Sequence, residues 1–280
     1  MHHRRAALAL LFLMLSPAVA RADGGATASD TDGAVHFRLG VGVGSVRFPE
    51  YPGAVETRSL TLPFPYVVLY HEHLKVDNNR VRGIVFAGSH WSLDVDFSGQ
   101  PQVESDRTRE RLGMPDLGWL GEAGPALRYN AWRDEAGETE LDLVLPVRTA
   151  VSAEGLTLTH RGNVFAPRLE LDHDLFDVDG RLEWDASLTA EYEDRDYTRY
   201  YYGVAPQYAT ATRPAYTPPG GYAGYRAEMG FSLHQGELVY GAFINYTSLD
   251  RAAFLASPLV GRHEGLSFGF SIAWVIQRQD

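Results

Sequence analysis

Residues 181–193 read RLEWDASLTAEYE. Leu182, Trp184, Ala186, Leu188, Ala190 and Tyr192 are apolar, while Arg181, Glu183, Asp185, Ser187, Thr189, Glu191 and Glu193 are charged or hydroxylic. Successive side chains of a strand point to opposite faces, so this alternation predicts a strand with one oily and one densely charged side. The fold depends on which solvent lies against each side.

The same pattern recurs along the chain. Val35, Phe37, Leu39, Val41 and Val43 oppose His36, Arg38 and glycines, and Trp91, Leu93, Val95 and Phe97 oppose Ser92, Asp94, Asp96 and Ser98. It returns at 140–148, 165–172, 225–233 and 268–276, and no amphipathic helix of ordinary length is legible. An all-β, antiparallel sheet follows. A soluble sandwich and a transmembrane barrel both alternate, and three features favour the barrel. The predicted strands suit a tilted crossing of about 9–11 residues rather than the soluble mode of about 5–6. Short turns alternate with long loops, and small polar residues crowd the charged face.

Candidate strands are 34–46, 61–70, 73–77, 80–87, 90–98, 121–132, 139–151, 157–173, 181–193, 222–234, 237–249 and 265–276. That makes about 12 strands, an even number as single-chain barrels require, with ten as the alternative. With 73–77 included, turned by Asn78-Asn79, the long loops 47–60, 99–120, 194–221 and 250–264 share one end. On this reading Leu188 meets hydrocarbon and Thr189 the interior. Arginine at Leu188 is then costly and arginine at Thr189 mild.

The chain opens MHHRRAALALLFLMLSPAVARADGG, a basic segment, an apolar run too short to span a bilayer, and an A-x-A site before Asp23. This predicts a signal peptide over 1–22 cleaved between Ala22 and Asp23, a linker over 23–33 and a barrel over 34–280. The formal charge of −11 becomes −14 once Arg4, Arg5 and Arg21 are removed with no acids. So acidic a chain is no nucleic-acid binder. The absence of cysteine excludes disulfides and thiol chemistry.

Four stretches carry a family resemblance: LPFPYVVLY at 62–70, RERLGMPDLGWLGEAGPALRY at 109–129, YYYGVAPQYATATRPAYTPPGGY at 200–222 and SPLV at 257–260. In this order, after a glycine-alternating first strand, they resemble the MipA/OmpV family of outer-membrane proteins. The resemblance implies a barrel in the outer membrane of a Gram-negative cell, bathed in its lipid, with a scaffolding role linking murein hydrolases and synthases. It marks Gly113, Met114, Pro115, Asp116, Leu117, Tyr200, Tyr201, Tyr202, Gly203, Val204, Tyr216, Ser257, Pro258 and Leu259 as family-motif loop positions and a candidate partner surface. Such barrels usually end on an aromatic residue. This chain ends WVIQRQD, with Trp274 the nearest aromatic.

Candidate chemistry is sparse. His71-Glu72-His73 offers two imidazoles without a third zinc ligand, so no metal and no cofactor is expected. Ser89-His90 near Asp94 and Asp96 suggests a lipid-modifying hydrolase only if a triad assembles in space, and the expectation is a non-enzymatic chain. Inward carboxylates (Asp94, Asp96, Glu140, Asp142, Glu170, Asp172, Glu183, Asp185, Glu191, Glu193, Glu228) face Arg38, Arg128, Arg148, Arg168, Arg181 and Arg226. They make either a cation-preferring pore or a lumen plugged by ion pairs, with plugging favoured. The Tyr- and Pro-rich loop 197–222 suits a partner surface or a segment folded into the lumen. A small-solute channel or surface adhesin is the alternative to the scaffold.

Overall fold

A computed structural model describes residues 36–71, 74–76, 81–88, 90–155, 157–177 and 180–279. The predicted signal peptide and linker, Glu72-His73, Asn78-Asn79 and Ser89 lie outside them. Thirteen strands form one antiparallel sheet: β1 (His36–Pro49), β2 (Thr57–His71), β3 (Leu74–Val76), β4 (Val81–Ala87), β5 (Trp91–Gln100), β6 (Trp119–Arg133), β7 (Thr139–Glu154), β8 (Thr157–Phe165), β9 (Arg168–Asp177), β10 (Gly180–Glu193), β11 (Gly221–Gln235), β12 (Leu238–Ser248) and β13 (Glu264–Gln279). Each strand pairs with the next except β8 and β9, which both lie between β7 and β10, and β13 pairs with β1, which closes a barrel.

β8 and β9 are one stave. Val147 opposes Phe165 and Val144 opposes Arg168, so the register against β7 runs unbroken across Ala166-Pro167. Pro167 has no N–H to give, but its carbonyl accepts from Ala190 N at 3.0 Å. The staves therefore number twelve, one for each predicted strand, and an antiparallel ring closes only on an even number. A closed ring leaves no unpaired edge to lipid. Most strands run further than the sequence suggests, so the loops 50–56, 101–118 and 194–220 are shorter, while 249–263 is displaced by one residue at unchanged length. All four lie at one end by strand alternation.

The two-tone pattern becomes two surfaces. Leu188, Val147, Leu169 and Phe270 are 47–65% exposed on the outside, whereas Glu183, Asp185 and Glu170 are 1% exposed within. Aromatic rims bound the apolar band. Trp91, Tyr129, Trp132, Trp184, Tyr240 and Trp274 lie toward the short turns, with the rings of Trp91 and Tyr129 tilted against each other at 4.4 Å. Toward the long loops Tyr192 contacts both Phe165 and Tyr222. From Trp184 to Tyr192 the strand rises about 3.3 Å per residue, giving a band about 20 Å tall at a tilt of about 40°. Rings at both borders, apolar between and amphipathic themselves, match a bilayer's two interfaces. No described helix is long and apolar enough to cross a membrane.

Candidate functional site

The lumen has two unlike walls. Along β5 to β10 the inward residues form a buried charge ladder. Arg128 reaches Asp142 and Glu170, each at 2.6 Å, and Asp94 at 3.4 Å. Arg148 binds Glu122 and Asp96, each at 2.8 Å, and Arg168 joins Asp96 at 2.6 Å to Glu170. Arg181 binds Asp174 at 2.8 Å and Glu183 at 2.7 Å. Arg226 binds Glu191, and Glu140 binds Arg133. Asp172 lies between Glu140 and Asp185 in one cross-strand row, with all three buried. Arg168, Glu170, Asp172, Arg181, Glu183 and Asp185 thus all point inward. A guanidinium with five donors can bridge several strands, so one Arg ties together carboxylates from neighbouring staves.

The opposite wall, β11 to β13 with β1 and β2, is different. Val46, Leu60, Leu62, Phe64 and Phe243 point inward and remain partly accessible. Glycines leave room for rings to lie against the sheet. A Cβ at Gly42 would come within 2.5 Å of Phe64, and one at Gly269 within 2.5 Å of Phe243. Toward the short turns this wall closes in an apolar cluster of Tyr66, Val68, Val239 and Ala273. The ion pairs therefore crowd one side of the bore, and partly accessible apolar residues line the other.

The long loops fold together over the open end. A helix the sequence did not reveal, α1 (Arg195–Tyr202), lies in the third of them. Asp194 caps it, its Oδ1 accepting from Asp196 N and Tyr197 N at 3.1 and 3.0 Å. Its Oδ2 accepts from Asn163 N and Nδ2 at 2.8 and 2.9 Å, which pins the helix to β8. Gly162 must be glycine: its φ is +116°, and a Cβ would sit 2.2 Å from Asp194 Oδ1. Tyr197 then donates to Glu122 Oε1 at 2.7 Å, joining the cap to the charge ladder. Burial lifts the phenols of Tyr197, Tyr201 and Tyr202 well above the usual range, so they stay neutral donors.

The motif residues are largely the fasteners of this cap. Tyr202 stacks on Phe254 at 3.8 Å and donates to Pro52 O at 2.9 Å. Ser257 Oγ donates to Tyr202 O, and Tyr51 donates to Leu259 O, both at 2.7 Å. Buried Arg111 donates to Tyr201 O and Pro115 O at 3.0 and 3.1 Å. Asp116 Oδ1 accepts from Ser105 N at 2.7 Å, and isolated bridges join Val103 to Leu117 and Val204 to Tyr216. Leu117, Tyr201, Tyr202, Val204, Ser257 and Leu259 are buried, while Met114, Tyr200, Gly203, Tyr216 and Pro258 are partly covered and Gly113, Pro115 and Asp116 exposed. Of that surface, then, about half packs inward against the other loops. Replacing Asp194 with Ala removes the helix cap, an expected loss of about 1–2 kcal/mol. Proteolysis should clip the 194–220 loop faster than in the parent, with the barrel's heat-resistant gel mobility retained.

Glu122 was missed in the sequence, although it shares the inward parity of Arg128 six residues on. Asp94 and Asp96 are engaged by arginines in the lumen, and exposed His90 lies against Tyr129 with rings 6.5 Å apart. A single ring nitrogen, His234 Nε2, lies 3.4 Å from Ser232 Oγ and 3.7 Å from Glu183 Oε1, so this imidazole does not bridge the two through its opposite nitrogens as a triad histidine does. The described residues hold no group of three or more side chains placed to bind a metal ion.

A family model described as MltA-interacting protein MipA matches residues 41–276. No curated protein matches the chain. Among solved structures, it is similar to the NanC porin, at 11% identity over 86% of this chain and 100% of that one, TM-score 0.35. It is similar to a bacterial polysaccharide outer membrane secretin at 8% identity over 86% and 99%, TM-score 0.41. It is also similar to the Escherichia coli outer membrane protease OmpT at 7% identity over 89% and 99%, TM-score 0.28.

Proposed function

Because the chain belongs to the MltA-interacting protein family, we propose that it is a non-enzymatic outer-membrane scaffold that holds murein hydrolases and synthases at the envelope. The observation that carries this reading is the family match together with a cap whose loops are spent on one another. A partner surface is then left at the short turns. The N-terminal strand β1 starts, and its neighbour β13 ends, at that same end. A chain exported through residues 1–22 would place this end in the periplasm, where murein enzymes work, and the cap outside. The turns 134–138 and 236–237, with Gly88 and His90, are the candidate contacts among the described residues.

Pull-down from detergent-solubilised envelope tests the proposal. The full chain should retain a murein enzyme, and replacing Asp134–Glu138 by a neutral turn of equal length should weaken retention. Retention of no murein enzyme would sink the reading. Cleavage of the 205–220 segment by protease added to intact cells should report the cap as the outer face. A second reading, a channel for small cations, is favoured by the accessible inner wall. Steady cation-selective conductance in a planar bilayer would support it over a passive scaffold.

A further inference from the structure

We propose that Glu56 and Glu110 form a proton-operated clasp in the loop cap: their carboxyl groups share a proton, hold the long loops together while they keep it, and release them when both are ionised. Such a clasp belongs to the cap and does not depend on the scaffold reading.

Placement is the first reason. Glu56 is the last residue of the first long loop, and Glu110 lies in a short helical turn, Arg109–Arg111, of the second. Their side chains are in hydrogen-bond contact. Ionised carboxylates only accept, so that contact exists only while one of the two carries a proton. Oε2 of each is buried and receives no hydrogen bond from the described protein. The fourth loop closes over the pair from another side: a Cβ on Gly261 would come within 2.6 Å of Glu110 Oε1 and of Val55. Gly261 N and Arg262 N both donate to Gly53 O, at 2.9 and 3.0 Å, which ties the fourth loop to the first. The third loop grips the same turn, since Arg213 Nη1 donates to Glu110 O and Leu112 O at 2.9 and 3.0 Å. All four loops of the cap thus meet at this one pair of acids.

Charge is the second reason. Most cations around the pair are engaged elsewhere. Arg58 serves Glu50 and Gln102 O, Arg107 serves Glu104, and buried Arg111 serves the carbonyls of Tyr201 and Pro115. The Arg213 guanidinium is spent on the carbonyls of Tyr208, Glu110 and Leu112. Exposed Arg109 attracts Glu110 without pairing with it, and exposed Arg262 follows Gly261. Glu50 and the Tyr51 phenol face the pair from the first loop, and Glu50 adds repulsion. Two ionised carboxylates in contact, one oxygen of each out of water, repel and lack donors. Burial, with the facing Glu56, holds the Glu110 carboxyl above the ordinary glutamate range, against the pull of its own backbone N–H and Arg109. The two acids titrate as one system. An acid whose pKa is raised by folding stabilises the closed form fully below its unfolded value, and that stabilisation is lost as pH rises through the raised value. The cap is therefore tightest in acid and loosens as the pH climbs through that range.

The test is limited proteolysis of the full folded chain in detergent micelles at about pH 4 and about pH 8, with a chelator present so that no divalent cation replaces the proton. Proteinase K is used, and each cleavage rate within 101–118 is divided by its rate on the heat-unfolded chain at the same pH. The parent should be cut about three- to tenfold faster at the higher pH, because raising one pKa by a unit changes the opening equilibrium about tenfold. Glu110→Gln replaces the shared proton with a permanent amide donor. It should stay protected and show no such rise, and Glu56→Gln should behave alike. Glu110→Ala should abolish the rise in the opposite way, by losing protection in acid. The proposal is overturned if the parent's corrected rate is the same at both pH values, or if both Gln variants, folded by unheated gel mobility, retain the rise. The parent's profile needs no variant, so a folding defect in the variants cannot shield the proposal.

Discussion

Leu188→Arg is expected to lower barrel stability by about 2–4 kcal/mol in folding titrations into lipid vesicles. Leu188 is 53% exposed on the outer face, at the middle of β10, roughly equidistant from the Trp184 and Tyr192 rims. An arginine there must either drag its charge into hydrocarbon or stretch to an interface, and at mid-height neither is cheap. The neighbouring inward positions make the contrast, and here the structure changes the expectation from sequence. Thr189 is 4% exposed and lies between Arg168 on one side and Arg226 on the other. Arginine at Thr189 would force a third guanidinium between two, so it should be costly and not mild. Ser187 is the mild position. It lies between Glu170 and Glu228, and the latter has no cationic partner among the described residues. Ser187→Arg should therefore cost under about 1 kcal/mol, since new attraction offsets the burial. Near-neutral Leu188→Arg would remove lipid from the outer face, and with it the membrane reading.

That contrast shows where sequence stops being informative. Period-two alternation gives the strands and their faces because one face must meet hydrocarbon and the other must not. Trp184 and Glu183 are assigned to opposite sides by parity alone. The number of staves follows as well, even across Pro167, because closure permits only even counts and the register there does not slip. Parity says nothing about which inward residues meet. That Asp96 from β5 is shared by Arg148 and Arg168, two and three staves away around the wall, depends on side-chain reach across the lumen. Nor does it separate the filled wall from the accessible one, which rests on where glycines let Phe64 and Phe243 lie flat. The α1 helix was hidden for a local reason. Its sequence RDYTRYYY is rich in tyrosine, which favours strands, and only the preceding Asp194 cap announces it. The motif loops were visible as motifs, but their mutual fastening through Arg111, Tyr202 and Ser257 requires contacts between segments dozens of residues apart.

The charge ladder carries the other large expectation: Arg128→Met should cost about 3–5 kcal/mol. Arg128 is 8% exposed and is the cation shared by Asp94, Asp142 and Glu170, which come from β5, β7 and β9. Methionine retains the packing volume and removes the charge, so the loss reads electrostatics and hydrogen bonding rather than a cavity. Glu170 keeps Arg168 as a partner, but Asp142 keeps only Asn130 Nδ2 at 2.8 Å among the described contacts. A buried carboxylate left with a neutral donor bears most of its desolvation cost unanswered. Pairing the change with Asp142→Asn should recover part of the loss, because the stranded charge goes with it. With the Asp142→Asn single change measured as well, the double-mutant cycle gives the coupling energy of the pair. If the single change were neutral, the arginines of this wall would be solvated rather than structural. Water would then occupy both sides of the lumen, and the barrel would be an open pore.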